Sequence, residues 1–217
     1  MALNERGLVL YTFGNVSAVD RSEKVFAIKP SGVPYKELTP QKIVVVDFEN
    51  NIVDGDLRPS SDTKTHAYLY HHWKDIGGIA HTHALYSVSW AQSLRDIPIF
   101  GTTHADHLTQ DIPCAPPMND MLIKGDYEHN TGKQITDCFD DRKLDHREVE
   151  MVLVGNHGPF CWGADAQKAV FNSMVLEEIA HMAYLTLQIN PKSEKLKAAL
   201  IDKHYQRKHG AKKYYGQ

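Results

Sequence analysis

Short runs of β-branched and aromatic residues alternate with turn-forming residues through the first half of the chain. Runs of this length, bounded by glycine, proline, asparagine or aspartate, are typical of β-strands. The pattern predicts strands at residues 8–13, 25–28, 43–48, 79–83 and 97–100, and another at residues 151–154.

Longer stretches with helical spacing of apolar positions lie between and after these runs. They predict helices at residues 62–73, 85–94, 126–139, 165–188 and 193–208. Ser60, Ser61 or Asp62 is available to cap the first of these helices. Strands joined by hairpin-sized turns and mixed with helices indicate an α/β fold with a central sheet that contains antiparallel pairs. Because no repeat, linker or composition break interrupts the pattern, we expect a single domain over residues 1–217.

Composition narrows the classes of protein to consider. A formal charge of −3 gives no broad basic field, so nucleic acid is not an expected partner. The cysteines, Cys114, Cys138 and Cys161, are widely spaced, which argues against a disulfide framework or a thiolate zinc site and favours the cytoplasm. Charged residues interrupt every apolar stretch well before the roughly 20 residues needed to cross a bilayer, and the N-terminus is unlike a signal peptide. Thirteen histidines direct attention to metal chemistry.

A candidate metal site is encoded by three histidines. His81 and His83 close a predicted strand, and side chains two residues apart on a strand point to the same face. His157 follows the predicted strand at residues 151–154 and is the natural third imidazole. Three histidine ligands leave coordination positions open, as in catalytic zinc sites. The other interpretation, an incidental pair of histidines, stays open at this point.

Three short polar loops have the composition of an anion site. They are residues 14–17, 29–32 and 59–62, each at the end of a predicted strand or the start of a helix. Glycine permits close approach of the backbone, serine hydroxyls donate to phosphate oxygens, and a helix N-terminus favours an anion. Each loop alone is also explained as ordinary turn and cap chemistry.

Taken together, these segments resemble the class II aldolase/epimerase family over essentially the whole chain. The motifs are Gly14-Asn15-Val16-Ser17, Lys29-Pro30-Ser31-Gly32, Ser60-Ser61-Asp62-Thr63, His81-Thr82-His83 and His157-Gly158-Pro159-Phe160. Residues 101–106 and the ending at residues 208–217 are most similar to the L-ribulose-5-phosphate 4-epimerases of that family. The sequence departs from the family in a shorter lead-in before Gly14 and in Phe13, where tryptophan is common.

The resemblance implies a central, largely antiparallel sheet flanked by helices and a homotetramer with shared active sites. It implies a divalent metal, most often Zn²⁺, and a phosphorylated ketopentose substrate. The implied metal ligands are His81, His83, His157 and Asp62. The implied substrate-binding residues are Gly14, Asn15, Lys29, Ser31, Gly32, Ser60 and Ser61. Asp106 and, from a neighbouring subunit, Tyr215 are implied as the acid/base pair; from the residues alone, Asp106 is more simply a helix cap and Tyr215 an exposed tail residue.

The activity implied is metal-dependent epimerisation of L-ribulose 5-phosphate to D-xylulose 5-phosphate at C4. Because the C4 hydrogen is not adjacent to the carbonyl, the reaction would proceed by cleaving and re-forming the C3–C4 bond, with one proton-transfer group for each orientation of the C4 oxygen. Aldolases of the family carry a catalytic glutamate at the place of Asp62, and the shorter aspartate favours the epimerase. The alternatives are a fuculose-phosphate-type aldolase and a non-catalytic module like the adducin head.

Overall fold

The computed structural model describes residues 2–211 and 213–214, and this part of the chain forms an α/β fold around one eight-stranded sheet. The strand order is β4-β3-β2-β1-β5-β8-β7-β6, and only the β6–β7 pair is parallel. The strands are β1 (Asn15–Asp20), β2 (Val25–Ile28), β3 (Val44–Asp47), β4 (Ile52–Asp54), β5 (Gly78–His81), β6 (Cys114–Ala115), β7 (Met151–Val154) and β8 (Gly158–Gly163). The predicted α/β fold with a largely antiparallel sheet is confirmed.

Helices cover both faces of this sheet. They are α1 (Ala2–Glu5), α2 (Thr63–His72), α3 (Leu85–Gln92), α4 (Thr102–Ala105), α5 (Asp120–Lys124), α6 (Tyr127–Arg142), α7 (Ala166–Ile189) and α8 (Ala198–His209). Helices α2 and α6 pack on one face, α3 and α7 on the other. In the described part of the chain, no helix combines the length and apolar character required to cross a membrane.

Strand β7 shows why the two-sided packing follows from the sequence. Val152 and Val154 join the core on the side of α2 and α6, whereas Met151 and Leu153 join the core on the side of α3 and α7. A strand that is buried on both faces has to be a continuous apolar run rather than an alternating one. Each fully buried side chain of this kind contributes about 1.5–3 kcal/mol to the free energy of unfolding.

Two predicted strands are wrong. Residues 8–13 form a turn-rich segment because Gly7, Tyr11 and Gly14 adopt positive φ angles of 70°, 54° and 71°, which are incompatible with an extended strand. Leu8 and Val9 are nevertheless buried, so the apolar run packs in the core without forming a ladder. Residues 97–100 contribute only an isolated bridge between residues 97 and 112.

Four of the observed strands were missed for identifiable reasons. In β1 the buried position Ser17 is polar, and its hydroxyl forms hydrogen bonds of 2.7 Å with both His66 Nδ1 and the Tyr70 hydroxyl. Because buried positions of β1 are polar, the strand lacks the alternation of apolar and polar residues that would identify it in the sequence. Strand β8 begins with Gly158-Pro159, which indicates a turn when only the sequence is considered. Strand β4 has only 3 residues, all exposed, and strand β6 has only 2.

Most of the predicted helices are confirmed. Those at residues 62–73, 85–94, 126–139 and 165–188 are confirmed within a few residues as α2, α3, α6 and α7. The last begins at Ala198 instead of residue 193, because the preceding segment turns at Asn190 and then bonds through Leu196 N–H to the Ile99 carbonyl. No side chain caps α2, so the expected cap at its first turn is absent.

Two buried histidines make stability dependent on pH. Burial lowers the pKa of His66 from 6.5 to about 3 and that of His104 to about 4. Between these values and 6.5 the unfolded chain binds protons that the folded chain does not, so the free energy of unfolding falls as the pH falls. We expect the two histidines together to lower the free energy of unfolding by about 2–3 kcal/mol between pH 7 and pH 5.5. Urea unfolding at the two pH values measures this change.

The matched variants are His104→Gln and His71→Gln, since the His71 side chain is exposed on α2. The first should reduce this pH-dependent loss by about half, because His66 remains, and the second should leave it unchanged. Equal unfolding free energies of the parent protein at both pH values would contradict the prediction.

Candidate metal centre and anion pocket

Three histidine side chains meet at one end of the sheet. His81 ends β5, His83 follows two residues later, and His157 lies in the turn between β7 and β8. His81 Nε2 and His83 Nε2 are 3.1 Å apart, and one potential ligand atom from each of the three residues lies within 4.8 Å of the others. Strand β5 stops at His81, so His83 reaches the site from a loop and not from the strand predicted for it.

The chemistry of these three imidazoles suits a divalent cation. His81 Nδ1 donates to the Pro159 carbonyl at 2.8 Å, which leaves Nε2 with its lone pair directed to the cluster. His157 Nδ1 is buried and has no hydrogen-bond partner within the residues described. Burial lowers the pKa of His157 to about 4, so this imidazole is neutral at pH 7, as a metal ligand has to be. The donor set therefore fits a metal.

Aromatic rings hold the cluster in place. Phe160 of β8 stacks on the His81 ring with 4.2 Å between centroids, and Phe13 lies 5.9 Å from the His83 ring. Tyr127, at the start of α6, contacts the His157 ring at 6.3 Å. These contacts restrict ring rotation and help to keep the three nitrogens close together.

Asp62 lies beside the three imidazoles, outside the set of converging ligand atoms. Its Oδ2 accepts a hydrogen bond of 2.6 Å from Asn15 Nδ2. Burial alone would raise the pKa of Asp62, but the nearby His81 and His66 rings and the Asn15 hydrogen bond together lower it. A carboxylate that is ionised, half-buried and not used as a helix cap is available for chemistry.

A cavity of about 220 Å³ connects this cluster to the polar loops. It is lined by Gly14, Asn15, Lys29, Ser31, Gly32, Ser60 and Ser61, together with Thr12, Phe13, Pro30, Asp62 and the three histidines. Backbone hydrogen bonds join the loops, from Ser31 N–H to the Arg58 carbonyl and from Ser60 N–H to the Lys29 carbonyl. The structure thus brings all seven predicted substrate-binding residues to the same cavity as the predicted metal ligands.

Lys29 is the cation of this cavity. Lys29 is only 5% exposed, and burial lowers the pKa of its ammonium group. The ammonium donates to the carbonyls of Thr12 and Pro30, each at 3.1 Å. An ammonium has three N–H donors, so one remains for a ligand. A buried positive charge that is hydrogen-bonded only to carbonyls favours an anion nearby.

Glu177 is a residue of this region that sequence reasoning missed. From α7 it accepts hydrogen bonds from Tyr86 N–H at 2.8 Å, Ser87 N–H at 2.9 Å and Ser87 Oγ at 2.7 Å. Helix α3 has no side-chain cap of its own, and Glu177 takes that place from another helix. Since α3 starts two residues after His83, Glu177 fixes the segment that carries this histidine.

Asp106 does not line the cavity of its own chain. It follows α4, and its carboxylate accepts hydrogen bonds from His204 Nδ1 at 2.9 Å and Arg207 Nη2 at 3.0 Å, both on α8. Burial alone would raise the pKa of Asp106, but these two partners lower it. The structure therefore groups Asp106 with the C-terminal helix. Tyr215, predicted as its catalytic partner, lies outside the described residues.

Both the sequence and the fold of this chain are similar to those of known proteins. Residues 1–184 match the model of the family described as class II aldolase and adducin N-terminal domain. An L-fuculose 1-phosphate aldolase structure matches with a TM-score of 0.77 and 24% identity, over 94% of this chain and 90% of that one. YgbL from Klebsiella pneumoniae, described as a putative aldolase/epimerase/decarboxylase, matches with a TM-score of 0.69 and 23% identity, over 93% of this chain and 91% of that one. An L-fuculose-1-phosphate aldolase from Thermus thermophilus matches with a TM-score of 0.66 and 21% identity, over 88% of this chain and 92% of that one. At these identities the likeness shows a shared fold.

Proposed function

Because this chain belongs to the class II aldolase and adducin N-terminal domain family, we propose that it is an L-ribulose-5-phosphate 4-epimerase. The family supports metal-dependent aldolase or epimerase chemistry on sugar phosphates, and the proposal adds the substrate and the outcome. It would convert L-ribulose 5-phosphate to D-xylulose 5-phosphate by cleaving and re-forming the C3–C4 bond.

One observation carries this proposal: the three converging imidazoles and the buried lysine border the same cavity. A ketopentose phosphate has a carbonyl near one end and a phosphate at the other, and the cavity offers a matching group for each. A non-catalytic module would have no need for three imidazoles that converge on one point, so the adducin-like alternative is not favoured.

The chain's own residues have separate tasks in this proposal. His81, His83 and His157 would hold a divalent ion, with Asp62 beside it, and Zn²⁺ suits three imidazole ligands. The bound ion would supply Lewis-acid polarisation of the substrate carbonyl. The loops bearing Lys29 and Ser61 would hold the phosphate, so that the aldehyde fragment stays bound after C3–C4 cleavage and can turn its other face before the bond re-forms.

Proton transfer at the C4 oxygen is assigned to Asp106 and Tyr215. Cleavage requires a base to remove the C4 hydroxyl proton, and re-addition to the other face requires an acid on the opposite side. The resemblance implies a neighbouring subunit for Tyr215 only. Since Asp106 does not line its own cavity and is bound to α8, we propose instead that the neighbouring subunit supplies both groups.

Exposed apolar side chains near the cavity support such an assembly. Tyr11, Phe13 and Leu85 are 82%, 53% and 71% exposed, and all three are within two residues of a cavity-lining residue. Side chains exposed in this way are available for contact with a neighbouring subunit. We propose a homotetramer with active sites between subunits, and a cytoplasmic location consistent with three free cysteines.

The direct test is an assay of Zn²⁺-loaded protein with L-ribulose 5-phosphate, with products separated and quantified. D-Xylulose 5-phosphate, formed without free fragments, supports the epimerase. Release of the two cleavage fragments identifies the fuculose-phosphate-type aldolase alternative. No turnover of L-ribulose 5-phosphate or L-fuculose 1-phosphate by the metal-loaded protein would contradict both.

A phosphate contact at Ser61 makes a separate prediction. Ser61→Ala should raise KM for the phosphorylated substrate about 10-fold or more and change kcat little. The reason is that a hydrogen bond to a charged group contributes about 1.5–3 kcal/mol, present equally in the ground state and the transition state. Ser22→Ala, in the turn between β1 and β2, is the matched control and should change neither constant. An unchanged KM for Ser61→Ala would show that this serine does not bind phosphate.

A further inference from the structure

Tyr35 is a buried tyrosine that contacts two loops of the anion pocket without lining it. It begins a 3₁₀ turn, is 5% exposed, and belongs to the same apolar cluster as Leu8, Val9 and Ala84. Its hydroxyl lies 3.0 Å from the Phe13 carbonyl oxygen and 3.0 Å from the Gly14 carbonyl oxygen. One hydroxyl hydrogen is thus shared between two successive carbonyls of the loop that enters β1.

This hydrogen bond fixes the direction of two peptide groups. In a trans peptide the N–H points opposite to the carbonyl, so the N–H groups of Gly14 and Asn15 are directed away from Tyr35. The loop has little room to shift, because a Cβ placed on Gly14 would lie 2.7 Å from the His81 carbonyl oxygen. Gly14 also has a φ of 71°, which only glycine adopts without strain.

The ring of Tyr35 contacts the second loop through Lys29. The Lys29 ammonium nitrogen is 5.0 Å from the ring centroid, within the range of a cation–π interaction. The same nitrogen donates to the Thr12 and Pro30 carbonyls. Tyr35 therefore holds the loop of Phe13 and Gly14 by its hydroxyl and the cation of the pocket by its ring.

We propose that Tyr35 is a positioning residue that sets the affinity of the pocket for the phosphate group of the substrate. The inference rests on the proposed function of this pocket as a phosphate site. A tyrosine that only fills the core needs a single partner for its hydroxyl, whereas Tyr35 meets two carbonyls of one pocket loop and places its ring near the buried lysine of the other. Its effect should be confined to anion binding, because none of its described polar contacts is to a metal-cluster side chain.

The test compares Tyr35→Phe with Tyr70→Phe in the full-length, Zn²⁺-loaded protein. Tyr70 is the matched control: it is fully buried and its hydroxyl bonds to Ser17, and it does not line the cavity. Binding of inorganic phosphate is measured by calorimetry, the Zn²⁺ dissociation constant by competition with a chelator, and stability by thermal unfolding. Tyr35→Leu, which removes the ring as well, is the second variant.

We expect phosphate to bind about 10-fold more weakly to Tyr35→Phe, as for the loss of one hydrogen bond of about 1–1.5 kcal/mol, and more weakly still to Tyr35→Leu. Zn²⁺ binding should stay within about 2-fold of the parent, and Tyr70→Phe should lose stability but keep phosphate affinity. Equal phosphate binding by the parent and Tyr35→Phe overturns the inference alone. Loss of phosphate and Zn²⁺ binding together shows a general structural role and also overturns it. A parent protein that binds no phosphate contradicts the phosphate assignment itself, and the inference falls with it.

Discussion

Replacing His83 with asparagine should lower Zn²⁺ affinity by about 100-fold or more and kcat by about 10³-fold. The asparagine side chain is shorter and is a weaker metal ligand. The ion would therefore be left with two imidazole ligands, His81 and His157, where three converge now. Polarisation of the carbonyl by the ion contributes several kcal/mol to the transition state, and each 1.36 kcal/mol corresponds to a factor of ten. His83 is the best position for the substitution because it is exposed and lies outside the strand.

The measurement is metal content after dialysis, together with turnover at saturating substrate. His71→Asn serves as the control, since that histidine is also exposed and lies on α2, and it does not line the cavity. Circular dichroism should show both variants folded. If His83→Asn retains one tightly held ion per chain and full activity, the three imidazoles are not the metal site.

The second large effect is expected for Tyr215→Phe, which should reduce kcat by about 10²–10⁴-fold while leaving Zn²⁺ content unchanged. A phenylalanine cannot donate or accept the proton at the C4 oxygen, so only one of the two orientations of that oxygen would be served. Tyr214→Phe is the adjacent control and should behave like the parent. A Tyr215→Phe enzyme with normal kcat would remove this residue from the mechanism.

Mixed assemblies then test which subunit supplies each group. Co-expression of His83→Asn with Tyr215→Phe should restore about one quarter of parent activity in a symmetric tetramer, because half of the sites keep an intact metal set and half of those face an intact tyrosine. Co-expression of Asp106→Asn with Tyr215→Phe should restore nothing, since Asp106 is bound to α8 and we propose that both groups come from one subunit. Recovery in the second mixture would place Asp106 and Tyr215 on different subunits, and no recovery in the first would exclude a shared site.

The residues that sequence reasoning located best are those whose chemistry is local. His81 and His83 are close in the sequence, and His157 follows a strongly apolar strand, so a common end of the sheet could be predicted for them. The meeting of the three polar loops at one cavity could be predicted for the same reason, since their glycines and serines show their character within four residues. The predicted direction of the His83 side chain rested on a strand that in fact ends at His81.

The residues that were missed act through bonds to distant backbone. Tyr35 donates to carbonyls 21 and 22 residues earlier, and Glu177 accepts from N–H groups 90 and 91 residues earlier. Neither contact leaves a pattern in the sequence, because any residue has a carbonyl and nearly any has an N–H. Strand β1 was missed for a related reason: Ser17 is buried by partners on α2 that only the fold brings to it.

Glu177 has a consequence for the order in which the molecule is built. The segment after His83 is fixed by a carboxylate about 90 residues further along the chain, and His157 also follows it by more than 70 residues. Long-range contacts of this kind form only after the entropy of closing the intervening loop has been overcome. During synthesis, the first 150 residues would therefore emerge with two imidazoles on an unanchored segment. We therefore expect the three imidazoles of the proposed metal site to come together only once α7 has been made and has docked, so that a truncated or half-folded chain would lack the finished site.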